Sequence, residues 1–149
     1  MIQRIDIALQ PEALRVLELQ RTSYQIEADL IGSSIPPLRE TLPELQSSDE
    51  DFHGFFEDDR LLGFISHKLE GNVLDIHRVA VHPDAFKRGI ARRLLEFVLK
   101  LEPSAKQAIV QTGSLNLPAC KLYLSFGFET LERKEVALGL ELTLFAKNL

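Results

Sequence analysis

The sequence predicts a mixed α/β fold, with a central, mostly antiparallel sheet of about seven strands and helices on both faces. Three observations carry that expectation. The middle of the chain, "FHGFFE", "LLGFISHKLE" and "VLDIHRVAV", reads as three strands joined by the short turns "DDR" and "GN", an antiparallel meander. An amphipathic helix then separates "VLDIHRVAV" from a further strand, "AKQAIVQT", and a strand–helix–strand order points to a parallel pair. The chain closes on two more strands, "FETLERKEVA" and "LELTLFAK", as a hairpin.

The elements follow in order. "RIDIALQ" alternates Ile5, Ile7 and Leu9 with polar residues, the period of a half-buried strand. Pro11 suits a first helical position, and the run after it, with Leu14, Leu17 and Ile26, reads as helix up to "GSSIPP", where Pro36 and Pro37 exclude regular helix. "ETLPELQ" reads as a short helix with Thr41 as N-cap and Pro43 in its first turn. The acidic "SDED" at Ser48–Asp51 reads as solvated loop. In "GIARRLLEFVLKL", Ile90, Leu94, Val98 and Leu101 form one apolar stripe with charged residues opposite, so one face packs on the sheet. "LPACKLYLSF" reads as another helix, stopped by Gly127.

Composition narrows the function. A length of 149 residues fits one domain spanning 1–149 with a real core, and 45% hydrophobic with 26% charged residues is ordinary globular usage. The net charge of -5 argues against nucleic acid or an anionic membrane as partner and mildly favours amines or basic peptides. One cysteine, Cys120, rules out an internal disulfide and a cysteine-based zinc site, which suits a reducing compartment. With no signal-like N-terminus and no run of about 18 apolar residues, the expected location is cytoplasmic.

The stretch "VAVHPDAFKRGIARRLLEFVLK" carries the chemistry. A helix start offers N–H groups without intrahelical acceptors and the positive end of the peptide dipoles, hence an anion site. Gly89 and the small Ala91 let backbone approach a phosphate, and Lys87, Arg88, Arg92 and Arg93 add positive charge. No P-loop and no dinucleotide fingerprint is present. The arrangement instead resembles the acyl-coenzyme A pyrophosphate loop of the GNAT superfamily of N-acetyltransferases. The core pattern [QR]-x-x-G-x-[GA] falls on Phe86, Lys87, Arg88, Gly89, Ile90 and Ala91, with Phe86 departing from the family's Gln or Arg. A second stretch, "NLPACKLYLSFGF", is similar to the family's N-x-x-A-x-x-L-Y-x-x-x-G-F, and helical geometry puts Asn116, Ala119 and Tyr123 on one stripe.

The resemblance implies a GNAT-like acyl-coenzyme A N-acyltransferase fold and acetyl-coenzyme A as co-substrate, with no metal. It implies that the backbone of Val79, Ala80 and Val81 pairs with the pantetheine arm, that Asn116 hydrogen-bonds it, that Ala119 lets it lie close, and that Tyr123 protonates the departing sulfur. By the two-residue period, Asp75, His77, Val79 and Val81 share one strand face, making His77 the expected base with Asp75 as its support. His53, His67 and His82 are weaker candidates, and no clustered carboxylates accompany the histidines to make a metal site. The N-terminal helices should cover the acceptor, with Tyr24, Glu27, Asp29 and Glu40 as contacts to a small-molecule amine or a peptide. A homodimer is the oligomer allowed for. A covalent route through Cys120 is not expected, because direct attack by the amine needs no intermediate. The rival expectation is a non-catalytic module of the same fold that senses acyl-coenzyme A.

Overall fold

The computed structural model describes residues 1–32 and 39–149; the Pro36–Pro37 break therefore lies outside the described residues. The elements run β1 (Ile2–Ile5), α1 (Gln10–Ile31), α2 (Leu42–Gln46), β2 (Asp51–Glu57), β3 (Arg60–Glu70), β4 (Val73–Val81), α3 (Ile90–Leu101), β5 (Gln107–Gly113), α4 (Leu117–Ser125), β6 (Glu129–Ala137) and β7 (Leu140–Asn148). They form one seven-stranded sheet in the order β1-β2-β3-β4-β5-β7-β6, in which β4–β5 is the parallel pair and the other pairs are antiparallel. The closing hairpin returns β7 into the sheet beside β5 and leaves β6 at the edge, exposed along its length.

Each face of the sheet has its own core. On one, Ala13, Val16 and Leu17 of α1 and Leu45 of α2 pack against Phe52 and Phe64. On the other, Ile90, Leu94, Leu95 and Val98 of α3 and Tyr123 of α4 pack against Ile65, Leu74, Ile76 and Phe145. Burying one Leu or Ile fully contributes about 1.5–3 kcal/mol, so the α3 stripe alone fixes that helix on the sheet. Thr41 caps α2 as expected and completes a reciprocal box with Glu44. The first strand is shorter than its alternation suggests. The Asp6 carboxylate accepts the Ala8 N–H at 3.0 Å and the Asp6 carbonyl accepts the Leu9 N–H at 3.2 Å, so the chain turns after Ile5.

Strand β4 departs from regular pairing at one residue. Ser66 pairs with Arg78 but His67 pairs with Ile76, which leaves His77 as the extra residue of a β-bulge. This corrects the period-two expectation for the strand. Val79 and Val81 join the α3-side core with Leu74 and Ile76, whereas Asp75 and His77 are directed to the other face. One inserted residue inverts the alternation beyond it.

The acidic run leading into β2 is solvated at Asp49 and Asp51 but not at Glu50. The Glu50 side chain is 7% exposed; it accepts two hydrogen bonds from Arg78, at 2.8 and 3.0 Å, and one from Ser66 at 2.6 Å. Arg78 also forms a two-pronged pair with Glu40, donates to Gln20 at 3.0 Å and lies over the Phe52 ring. Glu40, expected at the acceptor site, is thus taken up in binding the helical layer to β4. Burial works to raise the Glu50 carboxyl, but Arg78 and Ser66 outweigh it and hold the group below its ordinary value. A depressed carboxyl contributes stability above its unfolded pKa of about 4.5 and loses it as pH falls through the folded value. Arg78→Met is therefore expected to cost about 3–5 kcal/mol in urea denaturation at pH 7, because it strands buried carboxylates, and the cost should shrink on acidification. A pH-independent cost would contradict this assignment.

Candidate active site

Strands β4 and β5 pair only from Val73–Gln107 to Ile76–Val110, although β4 runs on to Val81 and β5 to Gly113. Past that point β4 follows β3 and β5 follows β7, so the sheet opens in a V. The His82 N–H donates to the Leu62 carbonyl at 2.8 Å, toward β3. Strand alternation then turns the N–H and C=O of Val81 and Val79 toward the gap, where they have no ladder partner among the described residues. Ala80 points its backbone to β3 and its side chain into the α1-side core.

A cavity of about 670 Å³ occupies this opening. Tyr24 and Glu27 of α1, His77, Val79 and Val81 of β4, and Asn116, Ala119 and Tyr123 around α4 all line it, with Phe86, Lys87, Ile90 and Ala91 at the α3 end. The structure therefore brings together groups that the sequence placed in three separate motifs.

At the α3 end, the loop adopts left-handed backbone at Lys87 (φ 65°) and at Gly89 (φ 75°), the latter being the residue before the first helical turn. Such a conformation beside a helix start turns successive N–H groups into one concavity, a cradle for an anion. A Cβ at Gly89 would meet no protein atom within 4 Å, so the glycine is required by backbone conformation and the space before it is open. The basic side chains are placed differently. Arg88 pairs with Glu57, Arg92 donates to Ser125 at 2.9 Å and lies over Phe126, and Arg93 lies over Phe55. Lys87 alone of these basic residues lines the cavity.

At α4, Asn116 is the N-cap, its side-chain oxygen accepting the Ala119 N–H at 3.3 Å. Tyr123 is 4% exposed and packed between Phe128 and Phe145. Burial, with the Glu27 carboxylate nearby, pushes its phenol well above the ordinary value, so the proton is firmly held. The Tyr24 phenol is raised in the same way. Cys120 turns its sulfur to the Gly113 and Ser114 carbonyls at 3.9 Å, and burial pushes its thiol up, which makes it a poor nucleophile.

His77 has both nitrogens facing carboxylates, Nε2 at 3.3 Å from Asp75 and Nδ1 at 3.8 Å from Glu50. Burial raises the Asp75 carboxyl, with His77 pulling the other way. Glu27, expected as an acceptor contact, is half-buried: the Thr112 hydroxyl donates to it at 3.5 Å, and the Asn116 side chain and Gly113 backbone also hydrogen-bond it. Its placement had a sequence signal, since Gln20, Tyr24 and Glu27 continue the stripe of Ala13, Val16 and Leu17 at helical spacing.

A second cluster corrects the expectation that no carboxylates gather around a histidine. Asp51 and Glu102 converge on buried His67, Nε2 lying 3.5 Å from Glu102 and 4.0 Å from Asp51. The other ring nitrogen, Nδ1, is buried and has no hydrogen-bond partner among the described residues. A metal on Nε2 would force the proton onto Nδ1 with nothing to accept it, so the cluster suits an imidazole N–H facing carboxylates better than a metal centre.

The fold and cavity can be set against known proteins. The family model described as "Acetyltransferase (GNAT) family" matches residues 14–128. The chain belongs to the GNAT acetyltransferase family. Streptothricin acetyltransferase of Escherichia coli is 32% identical over 105 residues, 67% of this chain and 60% of that protein. UPF0157 protein YqkA of Bacillus subtilis is 38% identical over 134 residues, 89% of this chain but 39% of that protein. The chain thus spans less than two thirds of either relative. Among solved structures, the PaiA N-acetyltransferase of Thermoplasma acidophilum in complex with coenzyme A superposes with a TM-score of 0.83 at 19% identity, covering 100% of this chain and 98% of that one. The ribosomal-protein-S18-alanine N-acetyltransferase of Escherichia coli gives 0.79 at 14% identity, covering 99% and 92%. At these identities the likeness is one of fold, here the GNAT fold. No helix among the described residues is long and apolar enough to cross a membrane.

Gly89→Ala tests the loop's backbone directly. Holding alanine at this positive φ should lower stability by about 1–2 kcal/mol in urea denaturation. An unchanged midpoint would show that the turn is not held left-handed.

Proposed function

We propose that this GNAT protein is an acetyl-coenzyme A-dependent N-acetyltransferase, acting as one domain over residues 1–149 on a primary amine of a small molecule or peptide. The carrying observation is the convergence on one cavity of the α3 cradle, the unpaired backbone of Val79 and Val81, and the Tyr123 phenol. A solved neighbour of this fold has coenzyme A bound, which supports the same donor here.

In this reading the pyrophosphate rests on the N–H groups opening α3, from Gly89 to Arg92, with Lys87 beside it. Phe86 offers ring surface in place of the family's polar side chain. The pantetheine arm extends the sheet along β4 by pairing with Val79 and Val81, past Asn116 and Ala119, and completes the ladder that β5 abandons. The cavity then directs the thioester carbonyl toward the Val81 N–H, a fixed donor for the oxygen that gains charge as the amine attacks.

Tyr123 meets the requirement at the other end. Collapse of the tetrahedral species breaks the C–S bond and leaves the electron pair on sulfur. A phenol that stays protonated at neutral pH supplies the proton that makes it a thiol. The incoming amine must also lose protons, and the cavity offers two acceptors: His77, which the strand pattern suggested together with Asp75, and Glu27 on α1. Tyr24 and Glu27 stand on the acceptor side.

Tyr123→Phe keeps the ring packing and removes the proton. Turnover should fall about 10²-fold while coenzyme A binding by calorimetry changes little. Turnover equal to the parent's would remove Tyr123 from the mechanism, and absence of coenzyme A binding by the parent would sink the enzyme reading itself.

A further inference from the structure

We infer that Glu27 is the group that receives the acceptor's ammonium and takes its proton. The inference rests on the acetyltransferase reading and assigns to Glu27 the role that the strand pattern points to in His77. Glu27 occupies the turn of α1 after Tyr24, on the stripe that faces the sheet, and lines the cavity with Tyr123. Three donors from the end of β5 and the cap of α4 face it: the Thr112 hydroxyl, the Gly113 N–H and the Asn116 amide. Asn116 has its oxygen engaged by the Ala119 N–H, which leaves its NH₂ to donate to the carboxylate.

A carboxylate so held is aimed and ionised, yet burial outweighs the donors and leaves its carboxyl above the ordinary value. That raises its proton affinity, the direction a general base needs. The charged and titratable groups around it are Tyr24 on its own helix, Tyr123 and Cys120 on α4, and His77, Arg78 and Lys87 across the cavity. Arg78 is committed to Glu40 and Glu50. His77 has its ring nitrogens turned to Asp75 and Glu50 rather than to an arriving amine. Among the described residues, Glu27 is the carboxylate that lines the cavity, and it forms no ion pair with a cation there.

The step balances as follows. Glu27 takes one proton from the ammonium, and the free amine forms the C–N bond to the thioester carbon. When the C–S bond breaks, Tyr123 gives its proton to sulfur, and the nitrogen's excess proton replaces it on the phenolate oxygen. Glu27 then loses its proton to water. The net change is ammonium and thioester to amide, thiol and one released proton. This assignment favours cationic primary amines as the substrate class, since the ammonium meets an anion before it meets the thioester.

The test uses the whole chain with acetyl-coenzyme A and three probe amines, spermidine, kanamycin and a hexapeptide with a free N-terminus, followed by thiol release. For the best probe, Glu27→Gln should lower kcat about 10²-fold, leave coenzyme A affinity within about twofold, and abolish the acid limb of the pH profile; Glu27→Asp should recover part of the rate. If Glu27→Gln raises KM and keeps kcat, or if the acid limb persists in it, Glu27 is not the base and the inference is overturned. If the parent releases thiol with none of the probes, the inference falls along with the amine-acetylation reading beneath it.

Discussion

The parting of β4 from β5 after Ile76 and Val110 is the constraint on which the site depends. A continuous sheet would satisfy every backbone group of β4 and leave nowhere for a ligand to enter the core. The bulge at His77 adds twist at the point where parallel pairing stops, and each strand keeps its other neighbour, so the sheet opens without losing its remaining ladders. The opening supplies two things together: a cavity between the α1 and α4 layers, and a row of directed N–H and C=O groups that a buried segment could not leave unpaired.

Arg78 keeps the opening from being a weakness. It stands next to the bulge and ties β4 to Gln20 of α1, to Glu40 and to Glu50, so that helix, connection and sheet are held at one point. These contacts hold α1 above the cavity at the level of Gln20. Tyr24 and Glu27 follow one and two turns beyond Gln20. The cavity then has a polarity, with Lys87 and the α3 start at one end and the Glu27 carboxylate at the other. An anionic donor and a cationic acceptor are drawn to opposite ends.

The elements were legible because local signals agreed with the tertiary outcome. The stripe of Ile90, Leu94 and Val98 is buried as its period requires, Thr41 caps its helix, and the two motifs lie at a helix start and on a cavity wall. What escaped the sequence depends on long-range pairing. A strand pattern cannot show which residue is the extra one in a bulge, so Asp75 and His77 were grouped with Val79 and Val81 although their side chains face opposite layers. Glu50 sits among acids that look solvated, and only the folding of β3 and β4 beside it brings Ser66 and Arg78 within reach. Asp51, His67 and Glu102 come from three distant segments with no shared spacing. Glu27 was the readable case, since its place on the α1 stripe marks it as inward-facing.

The two proton transfers are coupled through charge. The Glu27 carboxylate is one cause of the raised Tyr123 phenol, after burial itself, so the phenol is a weak acid while Glu27 is ionised. A proton passing from phenol to a thiolate runs uphill by about 1.4 kcal/mol for each unit separating their pKa values, and a thiol's ordinary value of about 8.5 lies below that of tyrosine. Neutralising Glu27 removes a negative charge from the neighbourhood and lowers the phenol toward the sulfur. In the proposed sequence that neutralisation is the first event, brought about by the acceptor's own proton. The proton reaching Glu27 thus removes one of the causes that hold the Tyr123 phenol up, burial being the larger, and the arrival of the acceptor eases proton transfer to sulfur in that sequence.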